Sequence, residues 1–199
     1  VNSSERELAL KHKPYWKKND LIIYDRGYPS YDFINEHITA GIDALSRVRK
    51  NQNTAVIAFV NSKKRTAIVD ILPHKEQDFT GKQYDKKTTI KVRLVRVDLP
   101  SGEIEILMTT LLDSQIYPSN MFKELYFRRW GIETFYDELK NKLKVEFFTG
   151  YSKSTIMQDF FCAIFISNLQ SVIVNSLQDE LKERNQNTRL NYKINTNLS

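Results

Sequence analysis

The hydrophobic pattern of this chain changes its period twice, and that change limits the folds it can adopt. Apolar residues recur at helical spacing from Tyr31 to Leu45, and helical spacing returns after Pro118. The residues between are rich in β-branched side chains, which favour strands. The predicted strands there are 54–60, 66–72, 88–99 and 103–111, the last two joined as a hairpin through Pro100-Ser101-Gly102. This order predicts an α/β fold that contains an inserted β-rich block.

An apolar run near the start, Leu21-Ile22-Ile23-Tyr24, ends on Asp25 and is followed at once by Arg26-Gly27. Such a run before a turn is typical of a central strand buried on both faces. Open α/β sheets form their ligand crevice at the carboxyl ends of their strands. Asp25 is therefore a candidate for binding a metal or a proton, although an Asp at this point could also cap the next helix or start a turn.

Composition fits an intracellular protein with a polyanionic partner. The 199 residues are 41% apolar, which suits one domain or a domain with an insertion, and the net charge is +6. The single cysteine, Cys162, excludes a disulfide framework and a cysteine zinc site and indicates a reducing compartment. The three histidines share no ligand spacing. Cys162 lies in the apolar run 160–166, which is too short for a membrane span and predicts a buried helix.

Two long helices are predicted after Pro118, from Asn120 to about Lys144 and from Ser152 to about Leu181. The second has the form of a capping box in Thr155-x-x-Gln158. A shorter helix is predicted from Ser4 to Leu10, and the Asn-rich residues after Asp179 are expected to be solvated.

The first of the long helices carries a row of polar groups. At about 100° per residue, Tyr126, Arg129, Glu133 and Lys140 fall within roughly 60° of one another. An adjoining apolar stripe is expected to pack against the sheet and consists of Leu125, Ile132, Tyr136, Leu139 and Leu143. Arg129 and Glu133 are four residues apart, so they could instead form a simple surface ion pair.

The spacing Tyr-x2-Arg-x3-Glu-x6-Lys in this row resembles the signature of bacterial insertion-sequence transposases of the DDE type. Asp25-Arg26-Gly27-Tyr28 resembles the segment that carries their second catalytic Asp, and Phe148-Thr149-Gly150-Tyr151-Ser152 resembles the continuation after the signature. The resemblance extends from residue 1 to about residue 180.

The resemblance implies a ribonuclease H-like core, incomplete because its first strands are missing, and interrupted by a β-rich insertion domain. Residues 1–45 would carry the second catalytic Asp, 46–117 the insertion, and 118–199 the core helices with the catalytic Glu. The family uses two divalent ions, Mg²⁺ or Mn²⁺, held by an Asp-Asp-Glu triad, so Asp25 and Glu133 would be catalytic metal ligands. Hard cations prefer such carboxylates.

The first Asp of the triad has no suitable candidate in this sequence. Asp20 starts the strand that Asp25 ends, and Asp32 and Asp43 lie in or near the following helix. We therefore expect the chain to be a fragment whose first ligand lies upstream of Val1. On that expectation the fragment alone carries two of three ligands and lacks full activity.

The resemblance also implies transposon-end DNA and target DNA as partners, a homodimer on paired ends, and a cytoplasmic location without membrane contact. Tyr126, Arg129 and Lys140 would contact phosphates near the transposon end, and Trp130 could contact a flipped base. Residues from Ala44 to Val69 include basic side chains and no acidic one. With Arg26, the further DNA contacts expected are Arg47, Arg49, Lys50, Lys63, Lys64 and Arg65.

The expected function is metal-dependent DNA strand cleavage and strand transfer in cut-and-paste transposition. Two alternatives stay open at this point. One is a ribonuclease H-like nuclease that hydrolyses DNA without joining it. The other is a truncated or domesticated transposase that only binds DNA, since a basic run is often no more than a solvated face.

Overall fold

The computed structural model describes residues 4–142, 147–186 and 192. The chain divides into two compact units, Val1–Arg129 and Trp130–Ser199. The first unit contains α1 (Glu5–Leu10), β1 (Leu21–Tyr24), α2 (Tyr31–Ala40), β2 (Asp43–Val48), α3 (Thr54–Ser62), β3 (Thr66–Ile71), β4 (Ile90–Asp98), β5 (Ile104–Thr109) and α4 (Met121–Phe127). The second contains α5 (Trp130–Asp137), a π-helical turn (Glu138–Lys142), α6 (Lys153–Ser176) and α7 (Gln178–Gln186).

The first unit is built on a mixed five-stranded sheet in the order β1-β2-β5-β4-β3. β1 and β2 are parallel, with Leu21 opposite Asp43, and every other neighbouring pair is antiparallel. A parallel pair needs a crossover connection, and α2 supplies it. The expectation of a mixed α/β fold is therefore confirmed.

Both faces of this sheet are covered, because side chains alternate between faces along each strand. On one face Ala44 and Leu94 belong to a core cluster with residues of α2 and α3. On the other face the neighbouring residues Leu45 and Val95 pack with Phe122 and Tyr126 of α4. The unit thus has three layers, and α4 lies on the face to which the odd-numbered residues of β2 point.

The predicted hairpin and three of the four strands in the β-rich block are confirmed. β3, β4 and β5 lie within the predicted segments 66–72, 88–99 and 103–111. Gly102 turns the hairpin at φ +83°, in the left-handed region that glycine adopts without strain. All these strands join the same sheet as β1. The proposed domain boundaries after residues 45 and 117 stay predictions.

Segment 54–60 is not a strand, so that prediction is wrong. It forms most of α3, because the side chain of Asn53 caps the helix by accepting a hydrogen bond from the N–H of Val56. Val56 and Phe59, three residues apart, are both buried on the sheet. Capping and burial at helical spacing outweigh the strand preference of the β-branched side chains.

The helix predicted from Tyr31 to Leu45 is too long. α2 ends at Ala40, where Gly41 adopts φ +67° and closes the helix in a left-handed conformation. Ile42 and Leu45 match helical spacing by coincidence, and both are buried. β1 is also an edge strand in the described sheet rather than a central one, and of its four residues only Tyr24 is buried.

The single helix predicted from Asn120 to about Lys144 is interrupted. α4 ends at Phe127, and the N–H of Arg129 bonds the carbonyl of Tyr126 in a tighter turn. The expected apolar stripe is also wrong in part, since Ile132 and Tyr136 are exposed while Leu139 is buried. Leu143 and Lys144 lie outside the described residues.

The second long helix is likewise two helices, α6 and α7, separated at Leu177. Ser152 caps α6 by accepting from the N–H of Thr155, so the capping box predicted at Thr155 is wrong. The capping box of α1, formed by Ser4 and Glu7, confirms that shorter helix. Residues after Gln186, except Tyr192, lie outside the described part of the chain.

The apolar run of α6 is not buried, contrary to prediction. Phe161 and Phe165 are 58% and 66% exposed, and Ile166 is 46% exposed. By length and composition alone, α6 is long and apolar enough to cross a membrane. One such helix is weak evidence of a membrane span, because core helices of soluble proteins pass the same test.

Candidate active site

Asp25 directly follows β1, and two side chains from other elements converge on it. The guanidinium of Arg47 lies 3.3 Å from its Oδ1, and the hydroxyl of Tyr126 donates to the same oxygen at 3.3 Å. The parallel register places Tyr24 opposite Ser46, which brings the next residues of both strands, Asp25 and Arg47, side by side. α4 packs on the sheet face to which Arg47 points, and this packing places Tyr126 beside Asp25. Strand register and helix packing therefore build this cluster within the first unit.

Arg47 connects Asp25 to a second carboxylate, Glu105 on β5. Its Nη1 lies 2.6 Å from Oε1 of Glu105, and the two side chains are 25% and 20% exposed. Glu105 was missed by the sequence prediction. Its only signal is an acid between Ile104 and Ile106 in a predicted strand. The pairing of β2 with β5 decides that it meets Arg47, and the sequence does not specify that register.

Tyr126 acts in this cluster as a hydrogen-bond donor. Burial raises its pKa to about 12, while the charge of Arg129 opposes the shift. The phenol is therefore protonated at neutral pH and can donate to Asp25. The guanidinium carbon of Arg129 lies 5.7 Å from the centre of the Tyr126 ring, within cation–π distance.

The electrostatic surroundings keep Asp25 ionised. Partial burial raises the pKa of this carboxyl, but the backbone N–H of Arg26 and the positive charges of Arg129 and Arg47 lower it by more, so the net shift is downward. Asp25 is consequently an anion at neutral pH. Its side chain is 42% exposed, which leaves it accessible to a ligand from solvent.

An ionised, accessible carboxylate fits a divalent cation as one oxygen ligand. Glu105 offers a second carboxylate on the far side of Arg47. Among the residues that the structure describes, no three His, Cys, Asp or Glu side chains group closely enough to hold a metal ion. The assignment of Asp25 and Glu133 as metal ligands stays a prediction.

The other predicted site residues are spread over both units. Glu133 and Trp130 lie in the first turn of α5, and Lys140 lies in the π-helical turn; all three are exposed. Arg49 and Lys50 lie between β2 and α3, whereas Lys63, Lys64 and Arg65 follow α3. Since α3 has nine residues, it separates these two basic groups by about 13 Å along its axis.

Comparison with known proteins gives a consistent result. The sequence model of the family described as Transposase DDE domain matches residues 2–169. Transposase InsG for insertion sequence element IS4, from Escherichia coli (strain K12), is 24% identical to the chain over 186 residues. The match covers 92% of this chain and 41% of that relative, so the chain spans about two fifths of the relative's length.

Proposed function

The chain belongs to the family of transposase DDE domains, and from this membership we propose that it is part of a catalytic core that cuts and joins DNA at transposon ends. One observation carries the proposal. Asp25, the residue that resembles the second catalytic Asp, lies at the end of a strand as an ionised carboxylate held by Arg47 and Tyr126. Transposases act on DNA, and DDE transposases generally use divalent metal ions.

In the proposed reaction Asp25 and Glu133 are ligands of Mg²⁺ or Mn²⁺, with two ions in the complete site. When bound, such ions activate the attacking oxygen and stabilise the leaving oxygen of a phosphodiester. Tyr126 holds Asp25 in one orientation through its hydroxyl. Arg47 and Arg129 lie beside the carboxylate, and their positive charge attracts the phosphate of a DNA strand.

The further parts of the proposal follow from family membership. The core is ribonuclease H-like and carries a β-rich insertion, and the protein acts as a homodimer on paired transposon ends in the bacterial cytoplasm. Tyr126, Arg129, Trp130 and Lys140 contact transposon-end DNA. The remaining proposed DNA contacts are Arg26, Arg47, Arg49, Lys50, Lys63, Lys64 and Arg65.

The test is metal-dependent cleavage of a transposon-end duplex by the complete protein that contains this chain. Asp25→Asn should abolish cleavage because it removes a charged ligand. Asp98→Asn is the matched control, since Asp98 also ends a strand of the first unit and pairs with an arginine, Arg96. It should leave cleavage unchanged. Cleavage by Asp25→Asn at the rate of the wild type would refute the proposal.

The same assay separates the alternatives. A nuclease would hydrolyse the duplex without joining its 3′ end to a second DNA. A DNA-binding module would bind the duplex and cleave nothing, with or without Asp25.

A further inference from the structure

A basic surface lies on the first unit beside the turn that follows Asp25. It is a groove of about 1330 Å³ bounded by the β1–α2 connection, the start of α3 and the connection between β3 and β4. We call it the basic groove. Two acidic side chains line it, Asp70 and Glu76. The basic side chains that line it are Arg6, Arg26, Arg49, Lys75, Lys86 and Lys87.

The positive charge of the basic groove is available to a ligand. Within the part of the chain that the structure describes, Arg26, Arg49 and the three lysines form no ion pair. Of the two acids, Asp70 is paired with Lys91 at 3.1 Å. A groove with several uncompensated cations fits a polyanion and disfavours a neutral or basic partner.

The lysines of the basic groove lie on the long connection between β3 and β4, which is anchored to α2. Residues 72–89 have no helix or strand of their own, and such long loops in compact domains are usually either functional or disordered. The hydroxyl of Tyr31 in α2 donates to the carbonyl of Thr88 at 2.9 Å. Asp32 in α2 binds both Lys82 and Gln77 at 2.7 Å. This anchoring holds Lys75, Lys86 and Lys87 along one wall of the groove.

The turn after β1 lies between the cluster around Asp25 and the basic groove. Asp25 faces Arg47 and Tyr126, whereas the next two residues, Arg26 and Gly27, line the basic groove. Arg6 fixes this turn by donating to the carbonyl of Gly27 at 2.7 and 3.1 Å. The candidate catalytic carboxylate is thus bordered by positive charge on two sides.

Strand transfer brings two DNA segments to one reaction centre, and this inference rests on the function proposed above. We propose that the basic groove binds the phosphate backbone of a second duplex, the target DNA, while Arg47, Tyr126 and Arg129 face the transposon end. Lysine and arginine side chains supply many of the hydrogen bonds that proteins make to DNA phosphates, and contacts to the backbone carry no sequence information. Binding in the groove is therefore independent of sequence, as a target site requires.

The experiment measures how many short random-sequence duplexes the chain binds, by native mass spectrometry, and how affinity depends on salt. The variant carries Lys75→Glu, Lys86→Glu and Lys87→Glu. The control carries Lys11→Glu, Lys17→Glu and Lys18→Glu, which are also exposed and lie outside the basic groove. Both variants change the net charge by the same amount, so only the position of the charge differs.

We expect the wild type and the control to bind two duplexes per chain and the groove variant to bind one. The slope of log affinity against log salt should fall by about 2 to 3 in the groove variant, because each lost phosphate contact contributes about 0.9. The triple Lys→Gln variant should show the same loss. Circular dichroism of each variant checks that the fold is retained.

Retention of both duplexes by the groove variants, with an unchanged salt slope, would overturn the inference. The inference would also be overturned if the groove bound transposon-end DNA in preference to random duplex, because the groove would then read the end sequence. Neither result touches the proposed function, which is tested separately by the cleavage and joining assay with Asp25→Asn.

Discussion

At the scale of single residues, the state of Asp25 depends on Tyr126. The phenol donates to Asp25, and a hydrogen bond to a charged acceptor favours the ionised form. Removal of the hydroxyl by Tyr126→Phe should raise the pKa of Asp25 toward its ordinary value. It should also cost about 1 kcal/mol of interaction, or roughly fivefold in cleavage rate. The pH dependence of cleavage by the complete protein measures both effects.

Tyr117→Phe is the control for that substitution, since Tyr117 packs against the same core cluster without touching Asp25. Its cleavage rate and pH profile should match the wild type. An unchanged profile in Tyr126→Phe would show that the phenol does not orient the carboxylate.

His37 makes the stability of the first unit depend on pH. Its Nδ1–H donates to the carbonyl of Phe33 at 2.8 Å, and its Nε2 lies 2.9 Å from the hydroxyl of Tyr24, which donates to it when the ring is neutral. Burial lowers its pKa below the ordinary value near 6.5, while the Phe33 carbonyl opposes this. The unfolded state therefore binds the proton more readily. Stability should be constant above about pH 6.5 and should fall as the pH drops below it.

Thermal melting between pH 8 and pH 5 measures this dependence. His37→Gln should lower the melting temperature and flatten the slope below pH 6.5. His74→Gln, at an exposed histidine, should keep the wild-type slope. Equal slopes in the wild type and His37→Gln would contradict the assignment of a neutral buried ring.

At the scale of secondary-structure elements, α3 depends on its cap. The side-chain oxygen of Asn53 accepts from the N–H of Val56 at 2.9 Å, and Asn53→Ala removes this bond. The substitution should lower the free energy of unfolding by about 1 kcal/mol. Asn51→Ala is the control, because Asn51 is exposed and precedes the cap by two residues. Urea denaturation compares the two, and equal losses would mean that the cap contributes nothing.

Elements defined by local signals were predictable from the sequence, and those defined by distant contacts were not. The serine cap of α1 and the turn at Pro100-Ser101-Gly102 lie within a few residues of what they determine, and both are confirmed. The strand preference of segment 54–60 is also local, but burial of Val56 and Phe59 overrides it. The break after α4 follows no strong sequence signal.

The candidate site shows the same division. Asp25 was predictable because it ends an apolar run before a turn. The contact between Arg47 and Glu105 was not, because it depends on the pairing of β2 with β5, in residues 58 positions apart. Register between distant strands is decided by packing of the whole sheet and is not encoded in either segment alone.

At the scale of the whole molecule, the proposed function requires residues from both compact units. Asp25 lies in the first unit and Glu133 in the second. If both bind the same pair of metal ions, removal of either one disables the same step. Their effects on the cleavage rate should then be strongly non-additive, as for other catalytic groups that act as one unit.

The complete protein should therefore lose the same large factor in cleavage rate with Asp25→Asn, with Glu133→Gln and with both changes together. The double variant Asp98→Asn with Glu103→Gln is the control, since it also removes two negative charges, here from exposed positions of the first unit. Single-turnover cleavage at saturating Mg²⁺ measures each rate. If the factors lost by the two single substitutions multiply in the double variant, Glu133 does not share the function of Asp25. A Glu133→Gln protein as active as the wild type would mean the same. Family membership would then stand while the metal-ligand assignment of Glu133 falls, because the match to residues 2–169 does not depend on the role of any single side chain.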